Sequence, residues 1–206
     1  MIVSSDRQRG KYNRKSKRVV LVSYEGKNKT EKIYFNNFSN RENDFILQVV
    51  PGNETDPINL VKQTIKKINE LGLDLESDDK AFCIFDTDTQ VQKNKQIVEA
   101  IKLAESYNIK VITSCPCFEI WFLLHYEYTT GFLDNNSVID KLKSHNKKYE
   151  KNYNIFPDIK NKVNMAIENA KKLEQYQLEN NKDKHSVDAN PHTNVYEVIE
   201  EISLKK

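Results

Sequence analysis

The chain has 206 residues, 38% of them hydrophobic and 30% charged, with five Gly and five Pro. That length suits one domain with an appendage or two small domains, and that composition supports a core rather than broad disorder. There is no run of 18 apolar residues and no apolar N-terminal stretch, so neither a membrane span nor a secretory signal is predicted, and a cytoplasmic location is expected.

The net charge of +2 is unevenly spread. Residues 1–18 carry seven basic side chains (Arg7, Arg9, Lys11, Arg14, Lys15, Lys17, Arg18) and one acid, Asp6, leaving 25 of the 32 basic and 29 of the 30 acidic residues for the rest. A basic arm at 1–17 before a slightly acidic body fits contact with a polyanion such as nucleic acid, and equally a solvated tail. Cys83, Cys115 and Cys117 lie in apolar, strand-like surroundings and read as reduced core thiols. The C-x-C spacing of the last two, with no second pair, is a poor zinc pattern.

In chain order, Val19–Tyr24 is nearly all apolar and β-branched and ends at Glu25-Gly26, which predicts a strand buried on both faces. Thr30 is placed to cap a helix over Glu31–Phe38. Phe45–Val50 is a second strand closed by Pro51-Gly52. Pro57 opens a helix over Ile58–Leu71, with Leu60, Val61, Ile65, Ile68 and Leu71 at helical spacing and Gly72 as its stop. Ala81–Phe85 is a third strand that runs into Asp86-Thr87-Asp88. Lys95–Tyr107 reads as a helix, and Lys110–Thr113 begins a fourth strand. Alternation of this kind calls for an α/β fold with a mostly parallel sheet of about four strands, flanked by helices on right-handed crossovers. Phe118–Tyr126 follows as a very apolar helix. Asn136–Tyr149, Ile159–Asn180 and Asn194–Ile202 then read as charge-rich helices of a C-terminal appendix. The expected organisation is an arm at 1–17, an α/β domain at 18–128 and a helical appendix at 129–206 packing on it.

Sites in open α/β sheets lie beyond the carboxyl ends of the strands. Glu25 ends the first strand, and Asp86 and Asp88 end the third. If those strands are neighbours, the three carboxylates converge and repel, a conflict that a hard divalent cation resolves. Alternate residues of an extended segment point the same way, so D-x-D suits a shared ion. Asp at a strand end also serves as a turn former or helix cap.

These residues resemble a known family. Glu at the end of the first strand with D-x-D at the end of a later one resembles the Toprim domain of topoisomerases, primases and overcoming-lysogenisation-defect nucleases. Four ordered motifs resemble the RloB-like family: Tyr24-Glu25-Gly26-x-x-x-Thr30-Glu31-x-x-Tyr34-Phe35; Phe85-Asp86-x-Asp88; Cys115-Pro116-Cys117-Phe118-Glu119-x-Trp121-x-x-x-His125-Tyr126; and Asn190-Pro191-His192-Thr193-x-Val195, where the family usually has Ser at the position of His192. The likeness spans residues 18 to 202. It implies a Toprim-like fold, association with restriction and abortive-infection loci, an ATPase partner and candidate nuclease activity in phage defence. No G-x-x-x-x-G-K-[ST] occurs in the chain, so ATP use is expected from the partner.

By that resemblance, Glu25 takes the place of the Toprim glutamate, as metal ligand or general acid/base, and Asp86 and Asp88 take the D-x-D metal positions, with Mg²⁺ or Mn²⁺ as the expected ion. Glu31 and Glu119 are candidates to complete the centre; each also suits a helix first turn, where an acid complements the dipole. Lys27, Lys29 and Lys32 are placed to meet phosphate, with Lys93 and Lys95 weaker candidates, and His192 to fold back toward substrate. Lysines beside acids can equally be merely solvated, and Thr193 or Asn194 can cap a helix. Trp121, Phe122, Leu123, Leu124 and His125 read as core. The expectation is a metal-dependent nuclease acting on DNA or RNA, tRNA included. Its rivals are a non-cleaving nucleic-acid- or partner-binding subunit and, last, a nucleotidyl or phosphoryl transferase.

Overall fold

Four apolar runs become the expected parallel strands: β1 (Arg18–Tyr24), β2 (Phe45–Pro51), β3 (Lys80–Asp86) and β4 (Lys110–Cys115). A fifth, β5 (His192–Thr193), comes from the C-terminal third and pairs antiparallel with β4, giving the order β2-β1-β3-β4-β5. The computed structural model describes residues 17–26, 29–52, 56–87 and 93–203, apart from the side chains of Lys93 and Asn94. The expected basic arm therefore lies outside the described residues, Lys17 excepted.

Alternation along the strands sorts side chains onto two faces. Val20, Val22, Tyr24, Phe82, Ile84 and Ile112 enter one core, and Leu21, Ala81, Cys83 and Phe85 enter the other. The second core is covered by α2 (Pro57–Leu71) and α3 (Lys93–Glu105). The first is covered by α1 (Thr30–Asn36), α4 (Glu119–Leu123), α5 (Asn135–His145), α6 (Phe156–Ile159), α7 (Val163–Glu179) and α8 (Tyr196–Ser203). No helix among the described residues is long and apolar enough to cross a membrane. All three cysteines are free and buried.

Local signals account for the boundaries of α2. Pro57 stands at its start, the Asp56 side chain accepts from the Asn59 N–H at 2.9 Å, and Gly72 closes it at φ 63°. Elsewhere the boundaries differ from expectation. Thr30 is the first residue of α1 rather than its cap; Lys29 precedes it with no side-chain capping bond. The apolar helix over 118–126 shortens to α4, because the N–H groups of His125 and Tyr126 bond three residues back, to Phe122 and Leu123, and tighten the last turn. The long helix expected over 159–180 breaks into α6, a 3-10 turn at Lys160–Lys162 and α7. Asn194 does not begin the last helix. Its Oδ1 instead accepts from the Thr113 N–H at 2.7 Å, anchoring the chain to β4 before α8 starts.

From β1 the chain crosses to β2 on one side, and β3 then pairs with β1 on the other. The switch in strand order thus falls between β1 and β3, where open α/β sheets hold their ligands beyond the carboxyl ends of the strands.

Candidate metal centre

Tyr24 pairs with Ile84 at the end of the β1–β3 ladder, and the Glu25 N–H extends it by donating to the Ile84 carbonyl at 3.1 Å. Gly26 then takes φ +75°, a conformation that L side chains rarely adopt, and the chain turns off the sheet. Asp86 is the last residue of β3, and its N–H donates to Glu25 Oε2 at 3.3 Å. Thr87 N–H bonds the Ser114 carbonyl at 2.9 Å, so the turn after β3 is held to β4. Glu25 and Asp86 therefore stand side by side at the carboxyl edge of neighbouring strands.

Two further acids enter from the helices. Glu31, in the first turn of α1, is 7% exposed, and its Oε2 has no hydrogen-bond partner. Burial pushes its carboxyl up to about 8; the charges of Glu119 and Glu25 push the same way, against its own backbone N–H. Glu119 opens α4 and is 8% exposed. Its Oε1 accepts from the Tyr149 hydroxyl at 3.4 Å. The Cys117 thiol also bonds the Glu119 side chain, and it is held well above its ordinary range by burial first, then by Glu119 and Asp86. The Tyr149 phenol is pushed up by burial and by Glu119, Cys117 and Glu31. Glu25, Glu31, Asp86 and Glu119 thus form one electrostatically linked group, with Cys117 and Tyr149 at its wall.

Asp88 and Lys27 lie outside the described residues. Among the described residues, no group of three His, Cys, Asp or Glu side chains is arranged to hold a single ion. Lys29, just before α1, and Lys32, in its first turn, are exposed near Glu31. His192 is placed elsewhere: it is fully buried in β5, with neither ring nitrogen hydrogen-bonded. Burial lowers its pKa to about 3, and the charges acting on it are Glu174, His185, Lys184 and Asp183, none of which belongs to the carboxylate group. Contact between His192 and a substrate at that group does not follow from this position. Trp121, Phe122, Leu123 and Leu124 are core side chains, and His125 packs edge-on against Trp121 at 4.9 Å. Sequence reasoning missed Tyr149, which sits in a polar stretch with no motif to mark it, and read Cys117 as a core thiol in a poor zinc pattern rather than as a neighbour of Glu119.

A mostly parallel α/β sheet with acids at the carboxyl ends of two neighbouring strands is consistent with a Toprim-like domain. The model of the family described as RloB-like protein matches residues 20–202, and the chain belongs to that family. No curated protein and no solved structure matches the chain.

Proposed function

We propose that this protein is a divalent-metal-dependent nuclease of the Toprim type, using Mg²⁺ or Mn²⁺, that acts on nucleic acid in anti-phage defence by abortive infection, in the cytoplasm and with an ATPase partner. The observation that carries this reading is Glu31. A carboxylate oxygen, buried without a partner beside two other carboxylates, is costly unless a proton or a cation answers it. The donors around it are oxygens, the ligand type hard divalent cations prefer.

Glu25 and Asp86 would hold the cation together with Asp88, and Glu31 or Glu119 would complete its surroundings. A bound cation supplies neutralisation of phosphate charge and an activated water. In its absence, burial and the charges of Glu119 and Glu25 favour the protonated form of the Glu31 carboxyl. Lys29 and Lys32, exposed next to Glu31, would bind the phosphate backbone.

The test is cleavage of DNA and of tRNA by wild type and by Asp86→Asn, each with Mg²⁺, Mn²⁺ or EDTA, alone and with the candidate ATPase. Cleavage by wild type that disappears in Asp86→Asn and in EDTA is expected; equal cleavage by both proteins overturns the reading. A second reading is a non-cleaving nucleic-acid- or partner-binding subunit. It predicts nucleic-acid or ATPase binding with no carboxylate-dependent uptake of Mn²⁺.

A further inference from the structure

We propose that Tyr149, from the segment between α5 and α6, is a positioning residue: its hydroxyl orients Glu119 for the cation; the inference rests on the metal-dependent reading above. The residue comes from the C-terminal appendix, yet it is 2% exposed and its phenol meets a carboxylate at the end of the sheet.

The segment that carries it is fastened on both sides of the centre. Tyr149 N–H bonds the Asn146 carbonyl at 2.9 Å, and its ring packs edge-on to Phe122 of α4 at 6.2 Å. Three residues on, Asn152 adopts φ 68° and its Oδ1 accepts from the Lys29 N–H at 3.2 Å, just before α1. Asn154 and Asn37 exchange side-chain bonds at 3.1 and 3.3 Å. One short segment therefore spans α1, which carries Glu31, and α4, which carries Glu119.

Two neutral donors converge on Glu119, the Tyr149 hydroxyl and the Cys117 thiol. This is how ligating carboxylates are usually supported: hydrogen bonds from residues that do not touch the metal fix the carboxylate's rotation and leave its remaining lone pairs to the ion. At 3.4 Å the phenol contact is longer than a well-formed O–H···O bond. Contacts of this kind tighten when the site fills. Tyr149 differs in this from a core tyrosine such as Tyr34, which is buried among aromatic rings and whose hydroxyl meets no carboxylate.

The experiment is a calorimetric Mn²⁺ titration of the full chain as wild type, Tyr149→Phe, Glu119→Gln and the double variant, with melting in EDTA as a control. Tyr149→Phe keeps the ring against Phe122 and removes only the hydroxyl. About tenfold weaker Mn²⁺ binding, an unchanged melting temperature in EDTA and no further loss in the double variant are expected. Mn²⁺ affinity of Tyr149→Phe equal to wild type overturns the inference and leaves the metal-dependent reading standing. No Mn²⁺ binding by wild type overturns both. As a measurement on unsubstituted protein, Mg²⁺ should shift the ring-carbon resonance of labelled Tyr149 in wild type but not in Glu119→Gln; an unmoved resonance in wild type overturns the inference even if Tyr149→Phe proves unstable.

Discussion

The backbone N–H of Asp86 donates to the side chain of Glu25 at 3.3 Å, across the junction of β3 and β1. Two acids that would otherwise repel are thereby tied together, one through its carboxylate and the other through its main chain. This bond uses the main chain of Asp86 and not its side chain, and it gives one Glu25 carboxylate oxygen a backbone donor. Glu31 and Glu119 approach this pair from α1 and α4, and Glu31 feels the charges of Glu119 and Glu25.

The first prediction concerns pH. The Glu31 carboxyl is raised from 4.5 to about 8 in the folded chain. Between those values the folded state binds a proton that the unfolded state releases. Its contribution to stability is therefore full below the unfolded value and is lost as pH rises through the folded one. The slope reaches at most about 1.4 kcal/mol per pH unit. In EDTA, the melting temperature of wild type should fall from about pH 5 to about pH 8 more steeply than that of Glu31→Gln. Parallel profiles for the two proteins would contradict this assignment.

Metal addition should act in the opposite direction. A cation that binds only the folded chain stabilises it by about 2.7 kcal/mol at a concentration one hundred times its dissociation constant. Thermal melts of wild type should therefore shift upward with Mn²⁺ at neutral pH, and the shift should shrink or vanish in Asp86→Asn and Glu31→Gln. A Mn²⁺-induced shift of the same size in all three proteins would count against a carboxylate site.

Two glycines at strand ends should respond differently to alanine. A Cβ at Gly26 meets nothing within 4 Å, so Gly26→Ala is strained only by φ +75°. That should cost about 1–2 kcal/mol and loosen the turn that follows Glu25. A Cβ at Gly52 would lie 2.5 Å from Leu60 Cδ1 and 3.1 Å from the Tyr24 carbonyl. Gly52→Ala should cost about 1–3 kcal/mol by overpacking. Urea midpoints give both costs, and the Mn²⁺ response should weaken in Gly26→Ala beyond its loss of stability.

Asn194 is the polar pin of the C-terminal third. It accepts from Thr113 N–H at 2.7 Å and donates to the Val111 carbonyl at 3.4 Å and to Glu197 at 3.0 Å, with 1% of its surface exposed. Asn194→Ala leaves the buried Thr113 N–H without its acceptor and should cost about 2–3 kcal/mol. Amide exchange should accelerate first at Thr113 and along α8; uniform protection after the substitution would show that the pin is dispensable.

Much of this architecture is legible in local chemistry. Pro57 and Gly72 bracket α2 because φ near −65° and left-handed φ are properties of single residues. The apolar runs ending at Tyr24 and Phe85 mark buried strands, and Glu25 and Asp86 follow them by one residue. What escaped the sequence depends on distant partners. β5 has two residues, too few to alternate, and exists because the Asn190-Pro191 segment lays His192 against Cys115. Glu31 is buried only in the folded chain, and Tyr149 meets Glu119 across thirty residues of sequence. His192 carried a motif, but its place in β5 puts it among Glu174, Lys184 and His185 instead.

The antiparallel strand β5 has a consequence for synthesis on the ribosome. The sheet edge at β4 stays open until residues 192 and 193 have left the exit tunnel, and the phenol at position 149 emerges long after Glu25 and Asp86. A nascent chain can lay down β1 to β4 early and still lack the wall of its acidic centre.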